Sequence, residues 1–275
     1  EANTLSAIIS HGSRFLTATI SNGDMATLAG ISESGHNLSI TITDTSVAAA
    51  ALNTLDGKTD TTINASNITT LTGAAADLNT AYASSGISGL NNEAVTLSDT
   101  SLSASVLNTL DSNTSGTINA SSIDTLSGAA ADLNTAYTSA GISGLSDEAI
   151  TLTDTSLAAS ILNALDGHTS GTINAGSINT LSGTAADLIT AYASSGISGL
   201  NDEAISVSIG TVTTAQANTL SAATSAVVTA TISDGDMATL AGLTETGNAY
   251  TITITDTSVA ASALNTLDGK TTVAI

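Results

Sequence analysis

The chain has 275 residues, 41% of them hydrophobic but only 2% aromatic, with no Pro, Cys or Trp. Against 24 acidic residues stand only Arg14, Lys58 and Lys270, giving a net charge of −21. That balance repels nucleic acid and anionic membrane surfaces, and the lack of Cys excludes a disulfide framework and thiol chemistry. A core without aromatic bulk must be filled by many small aliphatic side chains in thin layers, as stacked repeats fill it.

In chain order the first phrase already returns later. Ala2-Asn3-Thr4-Leu5 matches Ala217-Asn218-Thr219-Leu220, and Asn53-Thr54-Leu55-Asp56-Gly57-Lys58 matches Asn265-Thr266-Leu267-Asp268-Gly269-Lys270. The offsets are 215 and 212, and an insertion around Ser10 to Phe15 accounts for the difference. The second copy of this super-repeat starts near residue 216. Inside it, between about residues 40 and 205, runs a 55-residue period: Asn53-Thr54-Leu55-Asp56 recurs as Asn108-Thr109-Leu110-Asp111 and Asn163-Ala164-Leu165-Asp166. A fixed period of this kind dictates architecture before any local reading does.

Each 55-residue unit divides into a short and a long coil. Ile40-Thr41-Ile42-Thr43, Val95-Thr96-Leu97-Ser98, Ile150-Thr151-Leu152-Thr153 and Ile252-Thr253-Ile254-Thr255 alternate apolar and hydroxyl residues, the pattern of a strand with one buried face. Anchoring one inward position gives Ile20, Ile42, Ile63, Leu97, Ile118, Leu152, Ile173, Val207, Ile232, Ile254 and Ile275, a register that mostly alternates a short step with a long one. Leu102, Val106, Leu107 and Leu110 trace one helix face, repeated by Leu157, Ile161, Leu162 and Leu165. Ser101 or Ser156 is expected to cap it, and Gly57, Gly167 or Gly269 to end it. The long coil carries an Ala-rich helix, Ala74 to Ala83 and its copies, with Ser127 or Ser182 as caps and Leu78, Leu133 and Leu188 inward. Tyr82, Tyr137 and Tyr192 follow on the same face. The fold class is therefore an α/β solenoid: strand–helix coils alternating about 21 and 34 residues, with a parallel β-sheet on one side and short helices on the other. We read residues 1–275 as one continuous segment of a longer tandem array whose export signal lies elsewhere, since no segment reads as a signal peptide or a membrane span.

Two features are candidates for function. The first is a hydroxyl column beside the inward register: Thr19, Thr41, Thr62, Thr96, Thr117, Thr151, Thr172, Ser206, Thr231 and Thr253, ending at Ala274. Thr suits an exposed sheet position for structural reasons alone. The sharper reading is a flat face for ice, a glycan or another fibre, with Asn64, Asn119 and Asn174 interrupting the lattice. The second is a set of recurring acids. Asp44, Asp99, Asp154, Asp234 and Asp256 end strands, Asp56, Asp111, Asp166 and Asp268 follow helices, and Glu93, Glu148 and Glu203 precede strands. An Asp at such a corner ordinarily makes a local turn or cap bond. The alternative is calcium, a hard cation held by oxygen ligands on neighbouring coils. Its candidate ligands are Asp44, Asp99, Asp154 and Asp256 with Glu93, Asp147, Glu148, Asp202 and Glu203, the loop stretches Asn91-Asn92-Glu93, Asp147-Glu148 and Asn201-Asp202-Glu203 foremost. His11, His36 and His168 have no counterpart among the repeats, His168 standing where the copies have Lys58, Asn113 and Lys270. No catalytic set is singled out from its copies, so an enzyme is not expected.

Asp99-Thr100-Ser101-Leu102, Asn108-Thr109-Leu110-Asp111, Thr117-Ile118-Asn119-Ala120 and Ala131-Asp132-Leu133-Asn134-Thr135-Ala136-Tyr137 resemble repeats of very large secreted or surface proteins of bacteria, including cyanobacteria. The resemblance implies an adhesin, matrix or surface-layer component outside the cell. The expected function is a structural segment of a fibre, sheath or matrix, with an adhesin stalk and an ice- or glycan-binding face as alternatives. Self-association and surface glycans are the expected partners, without nucleic acid or membrane insertion.

Overall fold

The computed structural model describes residues 15–275, so Ala2–Leu5, His11, Arg14 and most of the Ser10–Phe15 insertion lie outside the described residues. Contacts divide the chain into two units: residues up to Thr125 with Thr135–Leu145, and Leu126–Asn134 with Ser146–Ile275. Each unit is an α/β solenoid, built of successive strand–helix coils whose short strands stack in parallel.

In the first unit the main ladder joins Ser46–Ala48, Thr70–Gly73, Ala94–Leu97, Ile118–Asn119 and Ile142–Ser143. Its inward column is aliphatic throughout: Val47 lies opposite Leu71, Leu71 opposite Val95, Val95 opposite Ile118 and Ile118 opposite Ile142. Strands of two to four residues have no independent stability, and the helix Ala75–Ala83 is nine residues, too short to stand alone in water. Stacking supplies the rest. Each large aliphatic side chain fully removed from water contributes about 1.5–3 kcal/mol, and Leu52, Ile63, Leu71, Leu78, Leu107 and Ile118 are all fully buried. The helices Ala49–Asp56, Ala75–Ala83 and Ala104–Asn113 pack on one another in order.

The second unit repeats the scheme. One ladder joins Ser156–Ala158, Thr180–Gly183, Ala204–Val207, Val228–Thr231 and Ala249–Thr251, with Leu157, Leu181, Ile205 and Val228 as its inward column. Beside it Ala149–Leu152 pairs with Ile173–Asn174, which pairs with Ile197–Ser198. Its helices are Ala159–Asp166, Ala185–Ala193, Thr214–Ala223, Met237–Leu240 and Ala261–Asp268. At Tyr250 a large aromatic enters the core opposite Ala230, a small residue that leaves it room.

The fold class is as expected, but the strand register within it differs from an alternation of short and long steps. Paired positions follow one another at a nearly even step, from Val47 to Leu71, Val95, Ile118 and Ile142. Ile63 accordingly lies opposite Ile87 rather than Leu97, and Leu97 opposite Gly73. The cause is that a long coil carries three strand segments, such as Thr70–Gly73, Ile87–Ser88 and Ala94–Leu97, where one was expected. Helices meanwhile start at Ala49, Ala75 and Ala104, so their spacing exceeds the ladder step. Ladders therefore slide across the coils: Ser46–Ala48 precedes a helix, whereas Ile118–Asn119 in the same ladder follows one.

Helix details also differ from expectation. Leu102 and Leu157 belong to strands, Val106 is half-buried and Ile161 is 40% exposed, while Ala104, Leu107 and Leu110 form the buried stripe. Ser101, Ser127, Ser156 and Ser182 all sit in strands rather than at helix N-caps. Ser103 caps the helix Ala104–Asn113 instead, its side chain accepting from the Val106 N–H. Gly57, Gly167 and Gly269 do occupy C-cap positions, with right-handed backbone.

Candidate functional site

The recurring aspartates at strand ends cap helices, but not their own. The Asp99 carboxylate accepts from the Ala75 N–H at 2.8 Å, and Asp44 from Met25 N–H at 2.7 Å. In the second unit Asp154 accepts from Ala130 N–H at 2.7 Å, Asp234 from Thr214 N–H at 2.6 Å and Asp256 from Met237 N–H at 2.7 Å. Each of these helices thus gives an otherwise orphaned first-turn donor to a carboxylate from the following coil, and the negative charge sits at the positive end of the helix dipole. One copy departs from this. Ile209, 64% exposed, stands where Asp99 and Asp154 stand, and the helix that lost its partner, Ala185–Ala193, carries Thr184 as a local cap accepting from Asp187 N–H. The corresponding Ala74 makes no side-chain cap bond.

Glu93, Glu148 and Glu203 are no more than 1% exposed. A buried carboxylate is costly unless its lone pairs are satisfied. Glu93 accepts from the Tyr82 hydroxyl at 3.1 Å and from the Asn91 N–H at 3.2 Å. Glu203 accepts from the Tyr192 hydroxyl and from Asn201 and Asp202 N–H groups at 3.0 and 3.2 Å. Glu148 accepts from the Ser146 N–H at 3.0 Å. The next coil closes over each one, as Thr114, Thr169 and Thr224 donate to the backbone carbonyls of Glu93, Glu148 and Glu203. Burial, with the neighbouring glutamate charge adding to it, pushes the Tyr82 and Tyr192 phenols well above their ordinary range.

A third constellation was not anticipated. Asp56, Asp111 and Asp166, which follow helices, accept from Ser84, Ser139 and Ser194 at 2.6, 2.7 and 2.7 Å. The same serines accept from the Gly86, Gly141 and Gly196 N–H groups. A Cβ on any of these glycines would overlap the partner aspartate's Oδ1. The signal was present as a Ser-x-Gly phrase recurring in step with each Asp.

The outward hydroxyl column is not continuous. In the true register Thr41, Asn64 and Ser88 are neighbours, as are Thr72, Thr96, Asn119 and Ser143, and Thr151, Asn174 and Ser198. Thr62, Thr117 and Thr172 fall two residues before the Asn and outside these columns. Asn64, Asn119 and Asn174 each accept from an N–H two residues on, a local turn at the strand end.

Asp147 and Asp202, the remaining calcium candidates, are exposed. Among the described residues no group of three or more His, Cys, Asp or Glu is placed to hold a metal ion. His36 accepts from the Leu16 N–H at 3.3 Å. No protein-family model matches the chain, and comparison with curated proteins and with solved structures returns no match.

Proposed function

We propose that the chain is a structural segment of an extracellular fibre, sheath or matrix, and not an enzyme. The observation that carries this reading is that its recurring polar side chains bond one coil to the next. Asp99 to Ala75, Asp56 to Ser84 and Thr114 to Glu93 are each repeated in further copies, as a structural role for them requires. An acidic exterior with few cations keeps such an array soluble until it meets its own surface or a counter-ion. The mixed Thr, Asn and Ser columns favour ordinary sheet structure over a regular ice-binding lattice.

Electron microscopy of the purified 275-residue chain, first with calcium and then with chelator, tests the reading. Ordered lateral or end-to-end assemblies are the expected result, and single unassociated particles at every concentration refute it in favour of a stalk. Assemblies that persist in chelator assign the carboxylates to hydrogen bonding; assemblies that dissolve assign calcium to them as well.

A further inference from the structure

The same open groove occurs once in each unit. In the first, Met25, Leu28, Ala51 and Leu55 line a space of about 260 Å³ that ends at Lys58; in the second, Met237, Leu240, Ala263 and Leu267 line about 250 Å³ ending at Lys270. Each residue of one set is matched by the same residue 212 positions along in the other.

Two local features open it. The helices Met25–Leu28 and Met237–Leu240 have only four residues, whereas those stacked beside them have eight. Ala51 and Ala263 also hold the position that Val106 and Ile161 fill with larger side chains in the intervening coils. The groove and the lysine go together, because Lys58 and Lys270 are the only lysines in the sequence and the equivalent positions in the intervening coils are Asn113 and His168. Each ammonium donates to a backbone carbonyl, Lys58 to Ser32 at 3.2 Å and Lys270 to Thr244 at 2.8 Å. An ammonium has three donors, so it retains capacity for a carboxylate.

We infer that these grooves dock a second copy of this chain, one aliphatic side chain entering the apolar floor while an exposed carboxylate meets the lysine. Charge complementarity selects the occupant: every cation of the described coils other than histidine lies at a groove, and the remaining surface of the same protein is acidic. Each chain carries two such grooves, one in each unit, so a single copy offers two docking sites to its neighbours. This inference rests on the structural reading above and names the surface that assembles.

Sedimentation velocity of the 275-residue chain over a concentration series tests it, with K58Q/K270Q to remove the charge and A51V/A263V to fill the floor, folding of both being checked by circular dichroism. The wild-type chain is expected to self-associate reversibly, and each double variant to weaken association about tenfold or more, the loss of about 1.4 kcal/mol of binding. If the wild type assembles and both variants assemble equally well, the docking surface is refuted while the structural reading stands. If the wild type remains a single particle throughout, both fail.

Discussion

Gly86→Ala isolates one bond between coils. Gly86 does not have a left-handed backbone, so its lack of a side chain is required by proximity alone: an added Cβ overlaps Asp56 Oδ1 and lies 2.9 Å from its Cγ. The whole carboxylate must swing away, which breaks the 2.6 Å bond from Ser84. A hydrogen bond to a charged group is worth about 1.5–3 kcal/mol, and half-buried Asp56 recovers part of it from water, leaving about 1–2 kcal/mol. Replacing glycine also stiffens the unfolded chain, which offsets about 0.4–1 kcal/mol. The net expectation is a loss of about 1 kcal/mol for Gly86→Ala alone. In an Asp56→Ala background the obstruction is gone, and the same change becomes neutral or slightly stabilising. Because stacked repeats need not unfold in one step, the assay is native-state hydrogen exchange at the Ile63 amide, which donates to the Gly86 carbonyl at 2.8 Å. A double-mutant cycle whose effects add within about 0.5 kcal/mol refutes the proposed coupling.

Asp99→Ala removes the cap on the helix Ala75–Ala83 and is expected to cost about 1–2 kcal/mol in denaturant unfolding; Ala74→Thr, copying Thr184, restores about half or more of it. If Ala74→Thr rescues nothing, Thr184 is not the compensation for Ile209. Tyr82→Phe leaves the buried Glu93 carboxylate short of a donor and is expected to lower stability by about 1–3 kcal/mol, with Tyr192→Phe matching it through Glu203. Both phenols bind their protons more tightly folded than unfolded, so their contribution is intact below pH about 10 and stability falls as pH rises past it. Absorbance titration of tyrosinate beside unfolding curves checks this, and a stability that rises above pH about 10 contradicts it.

The repeat and the strand–helix alternation were legible because aliphatic residues recur at fixed places, and Ile42, Ile63, Ile118 and Ile173 are all fully buried as the inward face requires. Register was not legible. A column of aliphatic residues accepts Ile87 opposite Ile63 as readily as Leu97, and only the count of strand segments in the long coil decides between them. The strand-end aspartates were recognisable as cap residues, but the spacing could not reveal that Asp99 serves a helix in the preceding coil. Burial of Glu93, Glu148 and Glu203 ran against the general rule that charged residues stay in water. The clue lay in the tyrosines, since Tyr82, Tyr137 and Tyr192 stand at one fixed distance before Glu93, Glu148 and Glu203.

We propose that the recurring carboxylates serve as bonds between coils without a cation, and a crystal structure of the chain grown in calcium puts this to the test. Asp99 is expected on the Ala75 N–H, Asp56 on Ser84 and Glu93 on the Tyr82 hydroxyl, each without a metal neighbour. Calcium bound by these same carboxylates at about 2.3–2.6 Å would make them ligands first and overturn the hydrogen-bonded reading.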